Sequence, residues 1–334
     1  MGFGHLFRAL ALARELVDRG VDVTFAVADG RDVAALVERE GYPVALGDTM
    51  DPRARGGWLE QVVADTGARA LVLDLIDDTP PASIDAIRAR GVLVATIDDG
   101  TVRRLSADLV FYPPIPQVEE FGWSGFTGTR LAGGEWVVLR SAFAETPVRA
   151  GRGRPLVLVT MGGSDPGGMT LTVMRGLGGL AATFDVAVVV GPGYGDRERL
   201  DEIVVSFGRP VMVHDQPPDM RQLMLGAGLA VASFGVTAYE LAATATPTIL
   251  LCYTADHERS ASALVKPGAA VSLGVHTGHE GPRVAETVAA LLADREECQR
   301  MGRAGRALID GRGAARVAER IIESLADRAR ALGM

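Results

Sequence analysis

Short runs of apolar, often β-branched residues alternate along the chain with longer segments in which apolar residues recur at helical spacing. The runs predict strands, and the segments between them predict helices. Strands that are apolar throughout are typical of parallel sheets covered by helices on both faces. The predicted strands are residues 21–27, 70–73, 92–97, 156–160, 185–190, 211–214, 229–232 and 248–252. The predicted helices are residues 6–19, 33–40, 81–90, 170–180, 220–225, 238–243 and 257–264.

This alternation predicts an α/β fold of two doubly wound, Rossmann-like domains. A length of 334 residues also favours two domains over one. Residues 145–155 are rich in Pro, Gly and Arg and indicate an exposed linker, so we expect domains over residues 1–148 and 155–334. A last helix, rich in Ala, Arg and Glu, is predicted from about residue 314 to 332; it either closes the second domain or reaches back to the first.

Charge and composition narrow the classes of function. The formal net charge is −8, Lys266 is the only lysine, and the arginines are scattered, which argues against a nucleic-acid partner. No apolar run approaches the roughly 18–20 residues that span a bilayer, and the N-terminus lacks the pattern of a signal peptide. Cys252 and Cys298 have neither metal-ligand spacing nor that of a disulfide framework. We therefore expect a cytoplasmic enzyme.

The first candidate motif lies at the start of the chain, where Gly2 and Gly4 precede His5 and Arg8 at the mouth of a predicted helix. The glycines allow close backbone approach, and a helix N-terminus offers free N–H groups. An imidazole here can take a proton from water or a hydroxyl, or it can simply cap the helix. Because such a turn usually follows a central strand and none precedes it, we expect the natural chain to begin upstream of Met1.

A second glycine-rich turn lies between a predicted strand and a predicted helix, which is the context that a phosphate-binding loop needs. It lacks the Gly-Lys-Ser/Thr ending of a Walker loop and the spacing of a dinucleotide-binding loop. A tight turn with Asp165 as helix cap is an equally good interpretation. Its candidate ligand-binding residues are Gly162, Gly163, Ser164 and Asp165.

Two further strand-to-helix loops carry polar residues at the sheet edge where α/β folds bind ligands. In the first, Ser233, Gly235 and Thr237 could hold a diphosphate, and Glu240 is placed for ribose hydroxyls; the alternative is a capped helix with a solvated glutamate. In the second, Asp256 and His257 either contact a sugar or belong to an ordinary helix cap.

Acidic residues also end two predicted strands, as Asp74, Asp77 and Asp78 and as Asp98 and Asp99. Paired carboxylates can bind a metal or act as acid and base. Because no Asp-x-Asp motif is present, we expect these residues to be solvated or to cap helices, and no metal or cofactor is predicted. No role is assigned to the remaining histidines, which are His214, His276 and His279.

The order of these motifs resembles one known group of enzymes. Gly4-His5 comes first, a Gly134-Glu-Trp-Val-Val-Leu-Arg140 stretch ends the first half, and Met161-Gly-Gly-Ser-Asp165 and Tyr239-Glu240 follow. Together they look like the PseG/SpsG group of nucleotide-sugar hydrolases in pseudaminic acid biosynthesis. That group is related to the MurG-type N-acetylglucosaminyltransferases. The resemblance implies a GT-B fold, with two Rossmann-like domains facing across a cleft, although the first strand is missing here.

The resemblance also implies roles for individual residues. His5, flanked by Gly2 and Gly4, matches the histidine that activates water, and Glu240 matches the acid that holds the nucleotide ribose. Ser233 and Thr237 would lie near the diphosphate. Asp256-His257 stands where the group usually has Asn-Gln. Two further departures are the absent Arg-x-Asp of the first strand and Asp74-Leu-Ile-Asp77 in place of Asp-His-Tyr-Gly.

The function expected from these observations is hydrolysis of a nucleotide sugar, with a UDP-sugar as the partner and release of the nucleoside diphosphate from the anomeric carbon. The resemblance places this reaction in surface-polysaccharide or nonulosonic acid biosynthesis. His5 would act as the general base. Two alternatives remain open at this point. One is glycosyl transfer on the same architecture, and the other is a nucleotide-sugar-binding paralogue without catalysis.

Overall fold

The computed structural model describes residues 3–48, 51–74, 79–147, 153–331 and 333. Gly2, Asp77 and Asp78, which the sequence singled out, lie outside these residues. The chain forms two compact units. The first unit comprises the described residues up to Pro114, Val118–Ser141 and those from Arg312 onward. The second comprises Ile115–Gln117 and Ala142–Gly311.

The helices and strands alternate along most of the chain. The helices are α1 (Phe3–Val17), α2 (Arg31–Arg39), α3 (Pro52–Thr66), α4 (Pro81–Ala89), α5 (Gln117–Glu120), α6 (Met169–Gly178), α7 (Arg197–Ser206), α8 (Met220–Gly226), α9 (Val236–Ala243), α10 (Ala255–Val265), α11 (Gly281–Ala293), α12 (Arg295–Leu308) and α13 (Gly313–Ala331). The strands are β1 (Phe25–Val27), β2 (Val44–Leu46), β3 (Ala70–Leu73), β4 (Leu93–Ile97), β5 (Leu109–Tyr112), β6 (Thr129–Ala132), β7 (Leu156–Thr160), β8 (Asp185–Val190), β9 (Val211–Asp215), β10 (Leu229–Ser233), β11 (Thr248–Cys252) and β12 (Ala270–Val275).

The first unit contains a parallel sheet in the order β3-β4-β5-β6 and a separate parallel pair, β1-β2. All residues of β4 are buried, as expected for an apolar strand with neighbours on both sides. Core side chains of β4 and β5 pack with those of α1 and α13 in one cluster, which includes Leu12, Phe111 and Val317. Hydrophobic burial of two helices against β4 and β5 therefore holds this unit together.

The last helix, α13, belongs to the first unit although it follows the second along the chain. Its buried residues recur at helical spacing and include Ala314, Val317, Ala318 and Ile321, which form one apolar stripe. The change of unit comes between Ser141 and Ala142, before the predicted linker at residues 145–155. The return of α13 to the first unit is one of the two alternatives that the sequence left open for the last helix.

The second unit is built on a six-stranded parallel sheet in the order β12-β11-β10-β7-β8-β9. β7, β8, β10 and β11 are buried almost throughout, because each is paired on both sides and covered by helices. Its core cluster includes Val159, Met174, Val188 and Ile249. The sheet reverses its strand order at β7, which pairs with β8 on one side and with β10 on the other.

The predicted apolar strands are confirmed, with shifts of a few residues at their ends. The strand expected over residues 21–27 is limited to Phe25–Val27. β2, β5, β6 and β12 were not predicted; β6 is exposed at three of its four positions and so lacks an apolar run. In the part of the chain that the structure describes, no helix is both long and apolar enough to cross a membrane.

Shortening one core side chain of α13 tests its place in the first unit. Ile321→Ala should lower the free energy of unfolding by about 2–5 kcal/mol, because Ile321 is 2% exposed and its truncation leaves a cavity. Trp58, Trp123 and Trp136 all lie in the first unit and are the only tryptophans, so their fluorescence during urea unfolding follows that unit. Val102→Ala, at a 62% exposed site, should lower the free energy of unfolding far less. Equal effects of the two variants would contradict the assignment of α13.

Candidate functional site

The start of α1 places two polar side chains on one face of the helix. His5 lies in the first turn and Arg8 follows at i+3, a spacing that brings side chains together on a helix surface. Asp74 directly follows β3, and Asp98 directly follows β4. Because β3 and β4 are parallel neighbours, both aspartates lie at the same edge of the sheet.

These residues form one hydrogen-bonded cluster. His5 Nδ1 lies 2.6 Å from Asp74 Oδ1. Arg8 binds the same carboxylate with both arms of its guanidinium, Nε to Oδ2 at 2.7 Å and Nη2 to Oδ1 at 2.5 Å. A third bond runs from Arg8 Nη1 to Asp98 Oδ2 at 3.2 Å. The two-armed geometry fixes the carboxylate plane and with it the position of the imidazole.

The neighbours of His5 determine which ring nitrogen carries the proton. A guanidinium only donates and the Asp74 carboxylate only accepts, so Nδ1–H donates to Asp74. Arg8 Nη2 lies 3.2 Å from Nδ1, a close approach rather than a second hydrogen bond in this tautomer. In neutral His5 the lone pair is therefore on Nε2. His5 thus has the arrangement of a general base that is oriented by a carboxylate.

Burial and charge act in opposite directions on this cluster. Burial by itself would raise the pKa of Asp74, but the bonds from His5 and Arg8 and the charge of Arg8 hold it below its usual value. Burial would likewise lower the pKa of Arg8, and its interactions with Asp74 and Asp98 raise it instead. The side chains of Arg8 and Asp74 are each only 9% exposed. Asp74 is therefore ionised and paired, and the expectation that it is solvated or a cap is wrong.

The two aspartates after β4 have different roles. Asp98 is partly exposed and pairs with Arg8. Asp99 is buried; it accepts hydrogen bonds from Thr101 and pairs with Arg103 at 2.9 Å. Asp99 is therefore neither solvated nor a helix cap, since Thr101 caps the short helix that follows, and Asp98 belongs to the His5 cluster. Among the described residues, no group of three or more His, Cys, Asp or Glu side chains has the arrangement of a metal site.

The second unit brings two of the predicted motifs together at its carboxyl edge. Gly162 follows β7 and Ser233 ends β10, and these strands are neighbours at the point where strand order reverses. A Cβ atom on Gly162 would lie 3.7 Å from Ser233 Oγ, and its φ of 80° favours glycine. Doubly wound sheets bind their ligands in the crevice at this point.

The loop after β7 is fixed by its own polar contacts. The Asp165 carboxylate accepts from the N–H groups of Met169 at 2.9 Å and Thr170 at 2.8 Å, so it caps α6. The carbonyl of Gly163 accepts from Gly193 N at 2.9 Å in the loop after β8. Asp165 thus shapes the loop from a buried position, and Gly163 and Ser164 form its exposed part.

Helix α9 presents its first turn at the same edge. Gly235 is its N-cap residue and makes no side-chain cap bond. Ser233, Thr237 and Glu240 are half-buried around this turn. The N–H groups of a helix's first turn and the positive end of its dipole favour an anion.

Helix α10 begins at the carboxyl edge after β11. The Thr254 side chain accepts from His257 N at 3.1 Å and caps the helix. Asp256 is exposed, and the ring of His257 lies 6.2 Å from that of Phe234, which stands between Ser233 and Gly235. The structure thus links the third and fourth predicted motifs through a ring contact.

Two polar groups of this edge were missed by the sequence analysis. Gln117 Nε2 donates to Asp256 Oδ1 at 3.0 Å and to Ser260 Oγ at 2.7 Å. His276 Nδ1 lies 2.7 Å from Glu280 Oε2; burial opposes ionisation of Glu280, but bonds from Thr277 and His276 lower its pKa to about 2. The i, i+4 spacing of His276 and Glu280 directly after a strand could have identified that pair from the sequence. No sequence pattern points to Gln117.

Comparison with known sequences gives relatives of one main kind. No protein-family model matches the chain. The UDP-N-acetylglucosamine--N-acetylmuramyl-(pentapeptide) pyrophosphoryl-undecaprenol N-acetylglucosamine transferase of Acidithiobacillus ferrooxidans is 28% identical over 96% of this chain and 94% of its own length. An uncharacterized protein of Methanocaldococcus jannaschii is 22% identical over 75% of this chain and 53% of its own length. The chain thus spans about half the length of that second relative.

Solved structures establish the fold. MurG of Acinetobacter baumannii superposes with a TM-score of 0.69 at 16% identity, over 96% of both chains. MnaA of S. aureus, solved with UDP, superposes with a TM-score of 0.70 at 14% identity, over 97% of this chain and 95% of its own. The protein therefore has the two-domain α/β fold of GT-B glycosyltransferases, as predicted. The expected PseG/SpsG-type hydrolase is not confirmed.

The buried ion pair of the His5 cluster predicts a pH-dependent stability. Asp74→Asn leaves Arg8 without its main partner and should lower the free energy of unfolding by about 3–5 kcal/mol at pH 7. Because the pKa of Asp74 is lower in the folded than in the unfolded protein, its contribution is present above the unfolded value of about 4. It is lost as the pH falls through the folded pKa.

The difference between wild type and Asp74→Asn should therefore shrink below about pH 4. Urea unfolding followed by tryptophan fluorescence at several pH values measures it. Asp98→Asn is the matched control, since that carboxylate is 34% exposed and makes one longer bond to Arg8. A gap between wild type and Asp74→Asn that stays constant down to pH 2 would contradict the assigned ion pair.

Proposed function

We propose that the protein is a glycosyltransferase that uses a UDP-sugar as donor. The observation that carries this proposal is the His5–Asp74 pair, in which Arg8 fixes the carboxylate and His5 Nε2 is left as a base. Further support comes from the near full-length similarity to an N-acetylglucosamine transferase. The first turn of α9, which begins after Gly235 near the reversal point of the second sheet, would supply a place for a diphosphate.

In the proposed reaction, an acceptor hydroxyl loses its proton to His5 Nε2 as its oxygen attacks the anomeric carbon of the donor sugar. A new bond forms between that carbon and the acceptor oxygen, and the bond to the β-phosphate oxygen breaks. UDP departs with the bonding electron pair. Asp74 stabilises the imidazolium that results, because it already accepts the Nδ1 proton.

The second unit is proposed to hold the donor. Backbone N–H groups around Gly162, Gly163 and Ser164 and at the start of α9 would bind the diphosphate, with the hydroxyls of Ser233 and Thr237. Glu240 would accept from the ribose hydroxyls, and Asp256 and His257 would face the sugar. As charge gathers on the departing diphosphate, the helix N-terminus stabilises it more strongly in the transition state than in the bound substrate.

Hydrolysis of the same donor is the second candidate, because the motif order resembles nucleotide-sugar hydrolases. A water molecule would then replace the acceptor hydroxyl. The His5–Asp74 pair can activate either nucleophile, so the catalytic base does not separate the two reactions. We prefer transfer, since the named activity among the relatives described above is a transferase.

The experiment that separates the candidates measures UDP release from UDP-N-acetylglucosamine by purified protein, with and without a panel of sugar and lipid-linked acceptors. Transfer predicts release that depends on an acceptor and a product of increased mass. Release that is equally fast without acceptor would instead establish hydrolysis. Absence of both release and UDP binding would contradict either enzyme.

Removal of the proposed base should separate catalysis from binding. His5→Ala should reduce kcat by at least ~10²-fold, the lower end for loss of a general base. The Kd for UDP should stay within about twofold, because the proposed UDP site belongs to the second unit. His279→Ala, at an exposed histidine, is the matched control and should leave kcat unchanged. Turnover by His5→Ala within fivefold of wild type would exclude His5 as the base.

Glu240 gives a test of ribose recognition. Glu240→Gln should raise the Kd for UDP roughly tenfold, because a hydrogen bond to a charged group contributes about 1.5–3 kcal/mol. The variant should also discriminate less between UDP and 2′-deoxy-UDP than the wild type does. Isothermal titration calorimetry measures both, with exposed Glu296→Gln as control. If both variants bind the two nucleotides as the wild type does, Glu240 does not hold the ribose.

A further inference from the structure

Gln117 belongs to the second unit although the chain around it lies between strands of the first unit. Its side chain is 7% exposed and contacts the first turns of α10. Nε2 lies 3.2 Å from the backbone oxygen of Asp256, 3.0 Å from its Oδ1 and 2.7 Å from Ser260 Oγ. Both N–H bonds of the amide are therefore directed at α10.

The other end of this amide is unsatisfied. Within the described part of the chain, Gln117 Oε1 is buried and has no hydrogen-bond partner. A buried acceptor without a partner costs about 1–3 kcal/mol, whereas an apolar side chain of similar length would avoid that penalty. Stability of the fold alone therefore gives little reason for a glutamine here. A buried polar group without a partner calls for a specific explanation. A role of Gln117 in ligand binding provides one.

That explanation lies in the residue that Gln117 holds. Asp256 is exposed at the start of α10, and one of its carboxylate oxygens is bound by the buried amide. An exposed aspartate is otherwise free to change rotamer, and ordering it when a ligand binds would reduce affinity. A bond from a rigid, buried donor fixes the carboxylate beforehand. Functional side chains commonly need such support from neighbouring residues.

We propose that Gln117 is a positioning residue that holds Asp256 ready to accept a hydrogen bond from a hydroxyl or amide N–H of the donor sugar. This inference rests on the proposed function, in which Asp256 faces the sugar of a bound UDP-sugar. The proposal predicts that Gln117 affects the affinity for the sugar part of the donor and does not affect the affinity for UDP. This difference distinguishes a positioning role from a general structural role.

The affinities of Gln117→Met for UDP-N-acetylglucosamine and for UDP test whether Gln117 affects only the sugar. Methionine has a similar length and removes both the bonds to Asp256 and the unsatisfied oxygen. Calorimetry should give a Kd for UDP-N-acetylglucosamine at least fivefold higher than in the wild type, and a Kd for UDP within twofold. The matched control is Gln61→Met, because Gln61 also donates to an aspartate, Asp65, but on the exposed surface of α3.

A pH series on Gln117→Glu gives a second readout that a merely structural role would not change. At pH 8 two carboxylates would lie near each other in the place of the present 3.0 Å contact, and their repulsion should displace Asp256. At pH 5 a shared proton can restore a hydrogen bond between them. The ratio of the Kd for UDP-N-acetylglucosamine to that for UDP should therefore fall from pH 8 to pH 5 at least threefold more than it does in the wild type, which carries the same His257 beside Asp256.

The outcomes separate the inference from the function on which it rests. Wild-type protein that binds neither UDP nor UDP-N-acetylglucosamine would overturn the proposed function and this inference with it. Wild-type protein that binds both ligands equally well, or Gln117→Met that binds both as the wild type does, would overturn the inference alone. If Gln117→Met fails to fold, the pH series on Gln117→Glu decides. A ratio that changes with pH no more than it does in the wild type would reject the inference.

Discussion

Parallel strand pairing is the constraint on which the candidate sites depend. In both larger sheets every observed pairing is parallel, so the carboxyl ends of all strands within a sheet share one edge. Loops that are remote in sequence therefore meet there. In the second unit this brings Gly162 beside Ser233, and in the first it brings Asp74 and Asp98 within reach of Arg8.

The orientation of His5 follows from the need to pair a buried charge. Removing one partner of a buried ion pair costs about 3–5 kcal/mol, so Asp74 and Arg8 strongly favour the geometry in which they stay together. The i, i+3 spacing on α1 then sets His5 against the same carboxylate. The tautomer that carries its proton on Nδ1 and leaves the lone pair on Nε2 is thus a consequence of local stability and does not require a ligand to be bound.

The sequence was most informative where a pattern is local. Apolar runs identified the buried strands, and glycine-rich turns between strands and helices located Gly162 and Gly235, because those signals depend only on neighbouring residues. Contacts between distant segments had no such signal. Asp74 looked like any strand-ending acid, and Gln117 belonged to no motif; only the fold brings each against its partner. The place of α13 in the first unit likewise depends on which apolar surface it meets, and its own amphipathic pattern fits either choice.

Under the proposed function, the residues of the two units contribute at different stages of the reaction. Glu240 and Asp256 would contact the ribose and the sugar, parts of the donor that change little as the bond breaks, so their contribution is mainly to binding. The N–H groups at the start of α9 would face oxygens whose negative charge grows in the transition state, and their contribution increases as the reaction proceeds. His5 would contribute only in the step in which the acceptor hydroxyl transfers its proton. The first turn of α9 is therefore expected to affect kcat as well as affinity, as His5 does, whereas Glu240 and Asp256 are expected to affect affinity alone.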